Sequence, residues 1–242
     1  MTIKCYSRYK IEKGVAKRST YHEDISFNGV TKVNDSALRD YFTDCSGIVG
    51  RVLFPNLTTV ENCGLDYAFI DCSGITAVSF PNLLSIGNTG LSNAFYRCYG
   101  ISGTISFPKL TTVSNWGLEY TFYDCNKITG ISFPKLSTVG EYGMYSAFYN
   151  CTGLTSNNIS FPELTSIAYC GMENLFENCS LLTGSVSFPK LTSLATYGLS
   201  EAFSDTNITS IHFKSTARST IEANSDYSSK FGAPNATIYF DL

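Results

Sequence analysis

The sequence predicts an α/β repeat fold: a right-handed solenoid of about seven coils wound around one apolar interior. Three observations predict it. Phenylalanine recurs on two ladders, Phe27, Phe54, Phe80, Phe107, Phe133, Phe161, Phe188, Phe213 and Phe42, Phe69, Phe95, Phe122, Phe148, Phe176, Phe203, in steps of 25–28 residues that use 15 of the 17 Phe. A string opening Val78-Ser79-Phe80-Pro81-Asn82-Leu83 returns at Ile105, Ile131, Ile159 and Val186, with variants at Val52 and Ile25. A second string, Gly64-Leu65-x-x-Ala68-Phe69-x-x-Cys72, returns from Gly90, Gly117, Gly143, Gly171 and Gly198. One coil of this length cannot bury its own apolar side. Stacking sets like residue over like and turns each ladder into a continuous column.

The elements follow in chain order. Residues 1–24 are expected to cap the first coil, with Ile3, Tyr6, Tyr9 and Ile11 available to cover it, because a bare solenoid end exposes its columns. Lys4, Arg8, Lys10, Lys13, Lys17 and Arg18 make this segment basic, which suits either a solvated terminus or a basic arm. Residues 25–213 are the coils. In Ile75-x-x-Val78-x-Phe80, Val78 and Phe80 stand two apart and point inward from a short strand, with Ser79 pointing out. Pro81 ends the strand, since it has no N–H for a ladder bond. Leu83 and Ile86 continue inward along an extended return. Gly90 supports a turn, and Leu91, Phe95 and Cys98 at i, i+4 and i+7 predict a one-sided helical turn. The strands are expected to form a parallel sheet on the concave face, with neighbours about 4.8 Å apart. Short helical turns and extended returns make up the rest of each coil. Residues 214–242 are expected to cap the far end. Thr220 to Lys230 reads as a short helix stopped by Gly232, and Ala236 to Phe240 as a final strand. Phe231 and Phe240, the two Phe outside the ladders, would close the last coil.

Composition narrows the function. A net charge of -3 excludes the basic footprint of a nucleic-acid binder. No apolar run approaches the roughly 20 residues of a membrane span. The opening Met-Thr-Ile-Lys-Cys-Tyr-Ser-Arg shows no apolar core of a secretory signal. There are nine Cys, and six share one ladder: Cys45, Cys72, Cys98, Cys125, Cys151 and Cys179. Their spacing matches no zinc pattern, where ligands come in close pairs. Parallel Cβ vectors on adjacent rungs also disfavour disulfides. These cysteines read as small apolar fillers of a tight corner. Cys63 and Cys170 share a second slot four coils apart, and Cys5 has no slot. His22 and His212 have no acid or nucleophile partner at a recognisable spacing. No Gly-rich phosphate loop follows a strand. The sequence therefore assigns no catalytic, cofactor-binding or metal-ligating residue and predicts a chain that is not an enzyme.

Two surface stripes remain as candidate sites. The outward strand slot holds Ser79, Ser106, Ser132, Ser160 and Ser187, a small polar row that would accept a flat ligand or simply suits a crowded sheet face. The other stripe is aromatic. Trp116, Tyr142 and Tyr197 occupy the slot before the repeated Gly, and Tyr96, Tyr123 and Tyr149 the slot after the second Phe. Stacked rings offer large contact area at low entropy cost. The same rings would also serve as covers over the apolar columns.

The pattern F-x-x-C-x-x-[IL]-x-x-[IV]-S-F-P-x-L-x-x-[IV], with G-[LM]-x-x-A-F before the Cys, resembles the BspA-type leucine-rich repeats of bacterial surface proteins. The resemblance covers about residues 25–213, and the 25–28-residue step lies within the leucine-rich-repeat range. Phe-Pro stands here where the family more usually has Ile-Pro. The resemblance implies a leucine-rich-repeat solenoid and a binding or adhesion module that meets a protein or glycan at a bacterial surface. A rival expectation is a structural part of a phage particle or another multiprotein assembly, which would fit the lack of a visible export signal.

Overall fold

The computed structural model describes residues 10–12, 15–17, 24–155 and 158–241. Ile3, Tyr6, Tyr9, His22 and Cys5 lie outside the described residues, as does the side chain of Ile11. Lys10–Glu12 and Val15–Lys17 pair as an antiparallel hairpin. From Asp24 onward the chain winds as a parallel-sheet solenoid.

Each coil has three segments. The first is a strand of two to seven residues, as in Ile75–Ser79, Ser102–Ser106 and Asn207–Phe213. These strands pair in parallel, one per coil, in hydrogen-bonded groups of three, two and four. Glycines at positive φ, Gly50 (132°), Gly103 (78°) and Gly184 (78°), sit at or beside the register shifts in these groups. The second segment, expected to be a plain extended return, is a sheet of its own. Seven two-residue strands from Lys32–Val33 to Ser193–Leu194 stack in strict register. Their second residues, Val60, Ile86, Val113 and Val139 among them, point into the core.

The third segment departs from expectation: the predicted helical turn is a row of β-turns. The N–H groups of Gly64, Asp66, Ala68, Ile70 and Cys72 donate to carbonyls three residues back. Those of Cys63, Leu65, Tyr67, Phe69 and Asp71 donate to Asn88, Gly90, Ser92, Ala94 and Tyr96 in the next coil, at 2.8–3.0 Å. Every fourth residue is left-handed, with φ of 53° at Cys63, 55° at Tyr67 and 58° at Asp71. The physical reason is pitch. Rungs joined by ladder bonds stand about 4.8 Å apart, whereas packed α-helices need 8–10 Å between axes. A row of turns keeps the ladder spacing and shares its hydrogen bonds with its neighbours.

The core lies between these segments. Rings of the first Phe ladder stack face to face from Phe27–Phe54 (4.3 Å between centroids) to Phe188–Phe213 (5.5 Å). Those of the second run from Phe42–Phe69 (4.8 Å) to Phe176–Phe203 (6.1 Å). The columns meet edge to face at Phe80–Phe95 and Phe133–Phe148, each 6.2 Å. Cys72, Cys98, Cys125, Cys151 and Cys179 are buried, and each thiol donates to the carbonyl of a second-ladder Phe one coil back, at 3.0–3.2 Å. After three of these cysteines a glycine lets the chain pass close to the coil before it: a Cβ on Gly74, Gly100 or Gly153 would stand 2.2–2.4 Å from a carbonyl oxygen of that coil.

At the far end the expected single helix is four short pieces, Ser215–Ala217, Arg218–Glu222, Ser225–Tyr227 and Lys230–Gly232. Asn224 interrupts it by accepting the amide of Asp226. The strand Thr237–Phe240 pairs in parallel with Ser210–Phe213. Phe240 stacks on Phe213, Phe231 meets Phe213 edge-on, and the Arg218 guanidinium lies 4.2 Å above the Phe240 ring.

Candidate functional site

The strand face carries the serine row. Ser106 pairs in register with Ser132, and Ser160 with Ser187, whose hydroxyl donates to the Ser160 hydroxyl at 2.9 Å. Ser79 lies opposite Leu53.

At its C-terminal end this face holds an arrangement that the spacing of residues did not reveal. His212 Nδ1 is 3.0 Å from Asp241 Oδ1, and His212 Nε2 is 3.0 Å from Ser210 Oγ. The ring also stacks on Tyr239 at 4.8 Å. The partners come from the same strand and from just past the next one, so parallel register assembles them. The order of groups is that of a nucleophile, a base and an orienting acid. The strand bearing Ser210 pairs with a neighbour on each side over Ser210–Phe213, so the amides of that stretch are engaged in the sheet. Among the described residues, no group of three or more His, Cys, Asp or Glu is placed to hold a metal, and no helix is long and apolar enough to cross a membrane.

The turn row brings together the two predicted aromatic stripes. Trp116 stacks on Tyr142 at 5.8 Å and 4°, and Tyr169 bridges Tyr142 to Tyr197 edge-on at 5.6 and 5.9 Å. In the second stripe Tyr123 stacks between Tyr96 (4.8 Å) and Tyr149 (4.6 Å). Tyr145 and Tyr120 join the stripes: Tyr142 meets Tyr145 at 5.8 Å, Tyr145 meets Tyr120 at 5.3 Å, and Tyr120 meets Tyr123 at 5.7 Å. These nine rings form one connected network. Its outer edge is open to water, with Trp116 36% exposed, Tyr169 41% and Tyr197 42%. Tyr96, Tyr123 and Tyr149 are half-buried.

Left-handed backbone sets several of these rings in place. Trp116, Tyr120, Tyr142 and Tyr197 have φ of 55°, 50°, 52° and 56°. Such a conformation is uncommon outside glycine. The ladder to the next coil holds it: Trp116 N–H donates to Glu141 O at 2.9 Å and Tyr142 N–H to Tyr169 O at 3.0 Å.

An open cleft of about 490 Å³ lies along this edge, lined by Trp116, Glu119, Tyr120, Tyr142, Tyr145, Tyr169, Cys170, Glu173, Tyr197 and Ser200. No Lys, Arg or His lines it. Interaction with the Cys170 thiol, with some loss of water, pushes Tyr142 up to about 12 and raises Tyr169 as well. Burial is also the main reason that the Glu119 carboxyl stands above its ordinary range, although it accepts the Ser92 hydroxyl at 3.2 Å. Further along the same slot Asp66 is buried and raised to about 6 by loss of water, with Arg39 3.3 Å away opposing the shift. One Asp66 oxygen has no hydrogen-bond partner.

Sequence reasoning found six of the nine rings and missed Tyr120, Tyr145 and Tyr169, together with Glu119 and Glu173. The missed residues fall on slots whose occupant changes from coil to coil, so no ladder marks them. The one available signal was local: Tyr120 lies four residues after Trp116 and Tyr145 three after Tyr142, with a turn between.

Comparison with known proteins finds one matching family and similar solved structures. The model of the BspA type leucine rich repeat region matches in six copies over residues 39–171 and 91–230, and the chain belongs to that family. A solved leucine-rich repeat protein from Bacteroides ovatus is similar at 13% identity and a TM-score of 0.37, over 97% of this chain and 74% of that one. A leucine rich cell surface protein from Faecalibacterium prausnitzii is similar at 14% identity and a TM-score of 0.31, over 84% and 76%. No curated protein sequence matches the chain.

Proposed function

We propose that this chain is a non-catalytic binding module that presents its turn row to a protein or glycan, and that it serves adhesion at a bacterial surface. One observation carries the reading: nine linked rings stand on neighbouring coils of a hydrogen-bonded ladder, with their outer edge in water. Rings fixed in this way meet a partner with little further loss of freedom. Membership of the BspA type leucine rich repeat family supports the setting. The serine row offers small hydroxyls, of which Ser187 and Ser160 are already bonded to each other, and Ser210 stands on a strand paired on both sides. Both are weaker claimants.

The test is to screen the chain on glycan arrays and immobilised host matrix proteins, then repeat the screen with Trp116→Ala plus Tyr142→Ala. Loss of the hits is the expected outcome. Hits with unchanged affinity would remove the turn row as the binding face.

A further inference from the structure

We propose that the cleft between Trp116 and Tyr197 takes a basic peptide segment, seating Lys or Arg side chains against its ring faces and the carboxylates of Glu119 and Glu173. The inference rests on the turn row being a binding face, and it names the class of partner.

Charge complementarity leads to this assignment. The face of an aromatic ring is electronegative and attracts an ammonium or guanidinium group within about 6 Å of its centroid. Six rings line the cleft, and two carboxylates stand among them without a basic residue in the lining. Among the described residues, neither Glu119 nor Glu173 forms an ion pair. A carboxylate drawn partly out of water without a counter-charge is unfavourable, and a ligand cation corrects that. A neutral sugar would use the rings but leave the carboxylates uncompensated. An acidic sugar would be repelled.

The protein supplies its own example of the required contact. On the same turn row the Arg97 guanidinium lies 5.1 Å above the Tyr96 ring and 3.6 Å from Asp124. Tyr96 belongs to the ring network through Tyr123. That corner holds ring, carboxylate and guanidinium together, and the cleft repeats the first two without the third. Glu119 and Glu173 occupy one slot two coils apart, hence about 10 Å from each other at the ladder spacing. An extended peptide covers that distance in about three residues, so two neighbouring basic side chains reach both.

The experiment titrates the full chain with tetra-lysine, its fully acetylated counterpart, and neutral and sialylated oligosaccharides. Tetra-lysine is expected to bind, to weaken as salt rises, and to lose tenfold or more in affinity with Glu119→Gln plus Glu173→Gln. The acetylated peptide is expected not to bind. Glu222→Gln, outside this face, is expected to change nothing; an equal loss there would show unspecific attraction and overturn the proposal. Absence of tetra-lysine binding would overturn it too. If a neutral oligosaccharide binds, responds to Trp116→Ala plus Tyr142→Ala and ignores the Glu→Gln pair, the cation assignment fails while the binding face stands. If no ligand responds to the aromatic substitutions, the binding face itself fails.

Discussion

The strand face and the turn row are stacked by the same 25–28-residue period, yet they carry opposite surfaces. The outward strand slot repeats serine, while the slot before the repeated glycine reads Cys63, Thr89, Trp116, Tyr142, Cys170, Tyr197. The difference is steric. On a parallel sheet each outward side chain has a neighbour about 4.8 Å away on both sides, so small polar groups fit easily. In the turn row the left-handed residues project at corners, where a large ring has room at its outer edge. A repeat can hold its packing slots constant and vary only the corners, and the proposed binding face is built from those corners.

The largest expected effect tests the interior that both faces share. Phe122→Ala, in the middle of the second column, should cost about 3–5 kcal/mol in a urea or thermal unfolding experiment, the usual range for removing a buried ring. A near-neutral shift would mean that the column is not packed as described.

Next comes a pH effect on the turn-row side. The Asp66 carboxyl, raised by burial to about 6 from an ordinary 3.8, favours its protonated form when folded. Its contribution to stability is fully present below about pH 4 and is lost as pH rises through about 6. Asp66→Asn should flatten stability across that window and raise it at pH 7 by about 1–3 kcal/mol. A variant that tracks the wild-type pH profile would show that Asp66 is not held away from water.

The smallest effect separates folding from binding. Trp116→Gly removes a ring contact of about 0.5–1.5 kcal/mol and relieves a left-handed backbone strain of about 1–2 kcal/mol. The melting midpoint should therefore barely move while ligand binding is lost. A large destabilisation would make Trp116 part of the structural core.

The period, both Phe columns and the buried cysteine slot were legible because identical residues repeat at each rung. The turn row was misread because its four-residue turns put Leu91, Phe95 and Cys98 on one side, as a 3.6-residue helix would. Only the rung spacing distinguishes the two, and that is a property of the stack. Glu119, Glu173 and Tyr169 were not legible because their importance comes from neighbours one coil away. The pairing of His212 with Asp241 likewise depends on the register between the last two strands.

The chain's one tryptophan, Trp116, sits at the open edge of the ring network and reports on it directly. Acrylamide quenching of its fluorescence should be efficient in the free protein and should fall when tetra-lysine is added. Blue-shifted emission shielded from acrylamide in the free protein would mean that the rings face the interior, and would contradict the assignment of the turn row as the face that meets a partner.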